Sequence, residues 1–411
     1  MKLKCVLLFL ITVFVLSCDK NDDDDYEFIQ VATPELMSKA AFRNSVKVSA
    51  PKAIATVGKI YAFEDYIFVG DVGSGIHVID NSDPKSPNTV SFIEIFGNED
   101  ISVKDDFLYA DSATDLVVFD ISDLNNISVV ERLEDVFNVY NYDYPIEANA
   151  IDFGDYDVEE TIIVGWTLSI ERRKKMDEND IDITGVLSNA SAESSIGTGG
   201  SLARFQIVQD YLYAVGNYEM TIFNIQNLNA PELVGTQNAG WNIETMFQAD
   251  GYLYLGSTRG MYIYSLLNPA SPEFVSEFVH WEGCDPVVVD GDYAYLTLRG
   301  GNLCGQLESV LEVIDIKDKS NPSLVNRYTL DNPYGLGVKG NQLYVCDGTA
   351  GLKIFKRETP KDLKMVTRLE NVQAKDVIPL ENKLLMIGGN TLYQYAYKEN
   401  NVELISSYLL N

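Results

Sequence analysis

GIHVIDNSDPKSP (Gly75–Pro87), DLVVFDISDLNNI (Asp115–Ile127) and LEVIDIKDKSNP (Leu311–Pro322) repeat one pattern: a short apolar run, a carboxylate, then a turn. Looser copies begin at Met220 (MTIFNIQNLNAP), Met261 (MYIYSLLNPASP), Gly351 (GLKIFKRETPKDL) and Thr391 (TLYQYAYKENNV). The residues that end the apolar runs are Asp80, Asp120, Asn224, Ser265, Asp315, Lys356 and Ala396, at spacings of 40, 104, 41, 50, 41 and 40. A fixed period of this kind means one supersecondary unit stacked many times. Three residues further on stand Asp83, Asp123, Asn227, Asn268, Asp318 and Thr359. Most are types whose side chains bond their own backbone and start turns. Pro87, Pro231, Pro272 and Pro322 follow. They mark the gap before the next strand, because proline removes a ladder donor.

Each full unit reads as four strands: TMFQADG, YLYLGS, MYIYSLL and EFVSEF in the clearest case, from Thr245 to Phe278. Asp250-Gly251, Asp290-Gly291 and Gly340-Asn341 supply the first hairpin turn. Four-stranded units of about forty residues repeated around an axis make a β-propeller. A parallel β-helix has shorter coils and needs no tight hairpin in every unit. The 104-residue gap has room for a hidden third unit, with NAIDFGD and ETIIVGWTLSI as two of its strands. An insertion over about residues 170–200 then carries ERRKKMDEND and a small-residue run, SNASAESSIGTGG. The expectation is an all-β propeller of about eight four-stranded blades over 53–411, the third incomplete. Seven blades plus an appended hairpin is the alternative. Closing such a ring hides most strand edges.

The amino terminus reads as a targeting segment. Lys2 and Lys4 precede an apolar run from Val6 to Leu16, too short to span a bilayer once cleaved. Val15-Leu16-Ser17-Cys18 resembles the lipobox of bacterial lipoproteins, which implies a signal peptide at 1–17 and lipidation of Cys18. Several acyl chains give stable anchoring, since each buried CH₂ contributes about 0.8 kcal/mol. The acidic run Asp19 to Asp25 repels itself and stays extended, a tether over 18–32. It also resembles the export signal of Bacteroidota surface lipoproteins. Thr33-Pro34-Glu35 suits the start of a short helix reaching about Phe42, within a lead-in over 33–52 that ends in a strand.

Of the remaining cysteines, Cys284 opens the sixth unit and Cys304 lies in its enlarged connection between second and third strands. In a propeller blade both positions fall on one face, which predicts a Cys284–Cys304 disulfide in an oxidising compartment. Cys346 reads as a buried free thiol. The formal charge of -30 argues against nucleic acid, which needs a basic face. Asp180-x-Asp182-x-Thr184-Gly185 resembles the first half of a calcium loop but lacks the closing glutamate, so no metal and no cofactor is expected.

DLVVFDISD, GIHVIDNSDP and the Cys18 box together resemble the LVIVD-repeat family of bacterial β-propeller lipoproteins, as do GCDPVVVDGDYAYLTLRGGNLCG and LYVCDGTAGLKIF in the later units. Lys356 and Ala396 depart from the aspartate common in that family. The resemblance implies a propeller fold and an outer-membrane, surface-exposed lipoprotein. It implies no activity.

The connections between units and those between second and third strands share one propeller face. That face is expected to gather Trp166, Trp241, His280, Trp281, Arg299 and Tyr334, with Tyr140, Tyr142 and Tyr144 on a long connection. Such aromatic side chains with a few polar neighbours suit sugar rings or peptide. The competing assignment makes them caps over the gaps between blades. Asp80, Asp120 and Asp315 read as turn residues, and His77 as a sheet residue. Three functional classes follow. One is a monomeric, lipid-tethered module that binds protein, peptide or glycan. Another is a carbohydrate-active lyase or hydrolase using His280, Arg299 and Tyr334. The third is a structural subunit of an envelope complex. No catalytic constellation stands out in the chain, which favours the first.

Overall fold

The tyrosine-rich runs YLYAV (211–215), YLYLGS (252–257) and YAYLTL (293–298) form second strands in three of seven similar sheets, each wound in chain order from an inner to an outer strand. The structure is a computed structural model describing residues 26–137, 145–174, 201–280, 286–300 and 308–410. The chain divides into two compact units, one of residues 40–142 and 190–411 and a smaller one of 1–39 and 143–189.

In the larger unit, blade 1 contains Val57–Phe63, Tyr66–Asp71, Gly75–Asp80 and Asn88–Glu94, with Lys47–Ser49 added outside as a fifth strand. Blade 2 is Ile101–Lys104, Phe107–Ser112, Asp115–Asp120 and Ser128–Leu133; blade 3 is Phe205–Val208, Tyr211–Val215, Glu219–Asn224 and Glu232–Asn238. Blade 4 is Ile243–Ala249, Tyr252–Ser257, Gly260–Ser265 and Glu273–Val279; blade 5 is Val287–Asp290, Tyr293–Leu298, Val310–Asp315 and Ser323–Thr329. Blade 6 is Leu336–Lys339, Gln342–Cys346, Leu352–Thr359 and Asp362–Leu369; blade 7 is Ala374–Pro379, Lys383–Gly388, Thr391–Lys398 and Asn401–Leu409. Each first strand neighbours the first strand of the next blade, and that of blade 7 neighbours that of blade 1. The ring is therefore closed, and the fold is an all-β propeller.

Burial explains the closure. Ile378, Leu385, Ile387 and Leu392 of blade 7 pack on Ile60, Ile67, Val69 and Ile79 of blade 1. Across the same seam Gln394 Nε2 donates to Asn81 Oδ1 at 2.6 Å, and Asn81 Nδ2 donates back to Gln394 Oε1 at 3.2 Å. Elsewhere tyrosines bridge one blade to the next: Tyr109 Oη donates to Leu228 O at 2.7 Å and Tyr213 Oη to Pro269 O at 2.8 Å. Both rings are fully buried, so the hydroxyls need these partners. The turn residues behave as their types require. Asp80, Asp120 and Asp315 accept from Ser82 N, Ser122 N and Lys317 N at 2.9, 2.9 and 3.0 Å. Gly75 and Gly260 begin third strands with φ of 146° and 134°. A Cβ at either would collide with the carbonyl oxygen of Ile93 or Phe278, so only glycine fits. His77 is a buried sheet residue lying on Phe92, with ring centroids 4.6 Å apart, and Cys346 is a buried free thiol.

The all-β propeller stands, and two details differ from expectation. Among the described residues eight sheets form, but the one holding the expected third unit is three-stranded and is not a blade, so the ring has the seven blades of the alternative count. Ala150–Ile151 and Thr161–Lys174 instead flank Tyr26–Ser38 in the three-stranded sheet of the smaller unit. Thr33 and Pro34 lie within that strand, opposite Thr167 and Trp166, and the helix is confined to Lys39–Arg43. The local capping signal lost to a ladder between strands of 13 and 14 residues. They pair along nearly their whole length, and such tertiary pairing overrides local helix preference. The tether therefore cannot extend to residue 32 as a free chain, because pairing starts at Tyr26. The last two helix residues pack against the ring. Phe42 is buried edge-on against Phe96 at 6.1 Å, and Arg43 Nε donates to Asp115 Oδ2 of blade 2 at 2.9 Å.

Candidate functional site

Seven equivalent positions, one at the start of each first strand, surround the mouth of the central channel: Lys59, Asp100, Arg204, Thr245, Pro286, Gly335 and Asp376. The shared register shows in carbonyls that accept from the second strand. Val215 N reaches Arg204 O at 3.0 Å, Thr297 N reaches Pro286 O at 3.3 Å and Cys346 N reaches Gly335 O at 2.9 Å. Lys59, Asp100, Thr245 and Asp376 are all buried. Lys59 Nζ lies 3.1 Å from Asp100 Oδ2, which also accepts from Arg204 N and Phe205 N at 2.6 and 2.8 Å. Among the described residues Asp376 has no such support. Neither oxygen makes a well-aligned hydrogen bond. Burial pushes its carboxyl up to about 8 against the pull of the Val377 N–H and the Lys59 charge.

The chain closes this mouth itself. Ser201, Leu202 and Ala203, which lead into blade 3, are buried. Ser201 Oγ accepts from Leu336 N of blade 6 at 2.8 Å, and Ala203 O accepts from Met246 N of blade 4 at 2.5 Å. A segment that bonds blades 4 and 6 while entering blade 3 must cross the channel. Ligands on this face therefore meet the loops around the mouth.

Those loops carry two aromatic groups. Trp241, in the connection from blade 3 to blade 4, is 50% exposed. It stands edge-on to Tyr218 at 5.1 Å, with the Arg259 guanidinium 5.1 Å from its ring, within cation–π range. Gly240 and Asn242 on either side have φ of 134° and 51°. Such positive values make a sharp turn that presents the indole outward. His280 adjoins this group: its backbone N–H donates to Arg259 O at 3.2 Å and its ring stacks on Phe278 at 6.1 Å. The second group joins blades 5 and 6, where the Arg299 guanidinium lies 4.4 Å from the Tyr334 ring. Tyr334 is itself fixed by Thr297 Oγ1, which donates to its carbonyl at 2.6 Å. Trp241 and His280 thus each contact Arg259, and Arg299 lies over Tyr334. Trp166 is not a blade connection residue. It belongs to the smaller unit, where its ring meets Phe153 at 6.2 Å. Trp281, Cys284, Cys304, Cys18, the tyrosines at 140, 142 and 144 and the acidic loop at 180–185 lie outside the described residues.

Between blades 2 and 3 the same face opens into a cleft of about 60 Å³, lined by Glu99, Asp111, Arg204 and Asn217 over a wall that includes Phe137 and Phe205. Asp111 Oδ1 is held by Asn98 Nδ2, Glu99 N and Asp100 N at 2.7, 2.8 and 2.9 Å. Arg204 Nη1 pairs with Glu99 Oε2 at 2.5 Å and its Nε donates to Glu244 O at 3.4 Å. Burial, then the Glu99 charge, pushes the Asp111 carboxyl up to about 7. The sequence reading missed this cleft. A usable signal was present: VGD at 69–71, ADS at 110–112 and CDG at 346–348 each place an aspartate at or near the end of a second strand. In all three the carboxylate accepts from the incoming loop, as Asp71 does from Thr56 N at 2.8 Å and Asp347 from Asn332 N at 2.7 Å.

Comparison with known proteins places the repeat. The LVIVD repeat model matches residues 56–93, 98–135 and 284–330, which correspond to blades 1, 2 and 5. No curated protein matches the chain. Among solved structures, a Lactobacillus plantarum protein is similar at a TM-score of 0.54 and 12% identity, over 86% of this chain and 95% of its own. Sqt1 of Saccharomyces cerevisiae gives 0.52 at 7% identity, over 89% and 88%. The computationally designed Ika8 protein gives 0.52 at 8% identity, over 88% and 89%. At such identities the likeness concerns the fold alone. The turn chemistry, the closed ring and the matched segments agree: the chain is a β-propeller carrying LVIVD repeats.

Proposed function

We propose that the protein is a lipid-anchored module of the outer-membrane surface that binds a protein, peptide or glycan partner through the loop face of its propeller. The observation that carries this reading is Trp241: a half-exposed indole, presented by a strained turn and backed by Tyr218 and Arg259. Large aromatics that merely cap a gap between blades are expected to be buried. An exposed aromatic beside a guanidinium is the chemistry of an interaction hot spot. The lipid anchor rests on the Cys18 box and the acidic run after it. The Arg299–Tyr334 pair extends the same face across blades 5 and 6. An exposed stripe of Phe28, Leu168 and Ile170 in the smaller unit favours a second reading, in which that sheet docks on another envelope protein.

The test is a glycan and peptide binding screen on the chain carrying Cys18→Ser. Any ligand found should bind at least about tenfold more weakly to Trp241→Ala, a loss of about 1.4 kcal/mol or more. Equal binding by that variant, with the fold intact by circular dichroism, would remove the aromatic face from the account.

A further inference from the structure

We propose that the cleft between blades 2 and 3 is a distinct binding site that takes an ammonium group on a short aliphatic stem. It opens on the same loop face, but Trp241 is not among the residues that line it, so it does not depend on that indole.

Three observations favour this ligand chemistry. The first is charge. Arg204 is engaged by Glu99 and the Glu244 carbonyl, while Asp111, among the described residues, has no cationic partner. Its Oδ1 is held by three donors, which leaves Oδ2 for an incoming group. Two carboxylates against one guanidinium disfavour an anion, and the chain's formal charge of -30 adds a field that draws cations. The second is the wall. Phe137, Phe205, Ala113, Ala214 and Val215 give apolar surface on which methylenes can lie. The Phe137 and Phe205 rings stand 6.0 Å apart. The third is size. About 60 Å³ holds an amine and a few methylenes but not a sugar ring. It is far below the roughly 300 Å³ at which drug-sized sites begin.

The groups facing Asp111 are Glu99 and Asp100 from the connection between blades 1 and 2, with Arg204 across the cleft and Lys59 paired to Asp100 behind it. With its carboxyl at about 7, Asp111 is mostly protonated at pH 6 and mostly ionised at pH 8. An ammonium favours the ionised form, so its affinity should rise by up to about tenfold over that interval.

The experiment is a calorimetric or NMR titration of the full chain with n-butylammonium, N-acetyl-lysine methylamide and the neutral N-acetyl-norleucine methylamide, at pH 6 and pH 8. At least one amine should bind, more tightly at pH 8, and the norleucine compound should not. Preference for blocked lysine identifies the side chain of a partner protein as the source; preference for butylammonium identifies a free amine. Asp111→Asn keeps an acceptor for the three donors and should cost about tenfold in affinity and flatten the pH dependence. Gly216→Leu should block the cleft without strain, because a Cβ at Gly216 meets nothing within 4 Å. Trp241→Ala should leave amine binding unchanged, so failure here and failure of the aromatic face can be told apart. Equal binding of norleucine, no binding of either amine, or amine binding untouched in both cleft variants would overturn the proposal.

Discussion

Asp376→Asn is expected to stabilise the protein, by an amount that grows as the pH rises. The wild-type carboxyl is buried at the channel mouth without a well-aligned hydrogen bond, and its value stands at about 8 against an ordinary 3.8. Folding therefore holds a proton that the unfolded chain releases. Between about pH 4 and about pH 8 the native state binds more protons, so stability falls as pH rises, at up to about 1.4 kcal/mol per pH unit. Above pH 8 both states are ionised and the penalty is constant. A neutral amide of the same shape carries none of it. Denaturant unfolding should show near-equal stabilities at about pH 3 and an advantage of several kcal/mol for the variant at pH 9. Lys59 and Asp100 are the charged neighbours, and both remain in each protein, so the difference isolates residue 376. Parallel stability curves for the two proteins across this range would show that Asp376 is ionised and paired in the native state.

Asp115→Ala should have the opposite effect, a loss of about 3–5 kcal/mol at neutral pH. Asp115 is fully buried. It accepts from Arg43 Nε, Arg132 Nη1 and Asp135 N, each at 2.9 Å. Burial works against its charge, but the Arg43 hydrogen bonds, the Asp135 N–H and Arg132 outweigh it and hold the carboxyl below its usual range. Removing it leaves two partly buried guanidinium groups without their shared acceptor. With a depressed folded value, the contribution of Asp115 is present above the ordinary carboxylate range and is lost as pH falls through the lower folded one. The variant should therefore be closest to wild type in acid and furthest from it at pH 7, as read by denaturant midpoints. A loss below about 1 kcal/mol at pH 7 would mean that Arg43 and Arg132 are adequately solvated without it.

The two substitutions also show what the sequence could and could not disclose. Period, strand count per blade and turn residues were legible because they are local. Asp80 bonding Ser82 N is decided within a single turn of chain. Asp115 stood in plain view inside a repeat, but its role depends on Arg43, which is 72 positions away. Asp376 carries no local signal in the sequence; only the ring places it beside Lys59 and Asp100. The same holds for the candidate site. Trp241 was identified because aromatic residues in connections are conspicuous. The cleft was not, because Glu99, Asp111 and Arg204 meet only when blade 2 packs on blade 3 across the long connection. Trp166 and Pro34 were misplaced together: each was read locally, and they are partners in one ladder.

The central claim is that the sheets close into one ring, and the seam between blades 7 and 1 tests it most directly. Asn81 and Gln394 are 313 positions apart and exchange two amide hydrogen bonds across that seam. A double-mutant cycle of Asn81→Ala and Gln394→Ala, measured by denaturant unfolding, should give a coupling energy of about 1 kcal/mol or more. Strict additivity of the two substitutions would mean that the residues do not meet, and the ring would be open.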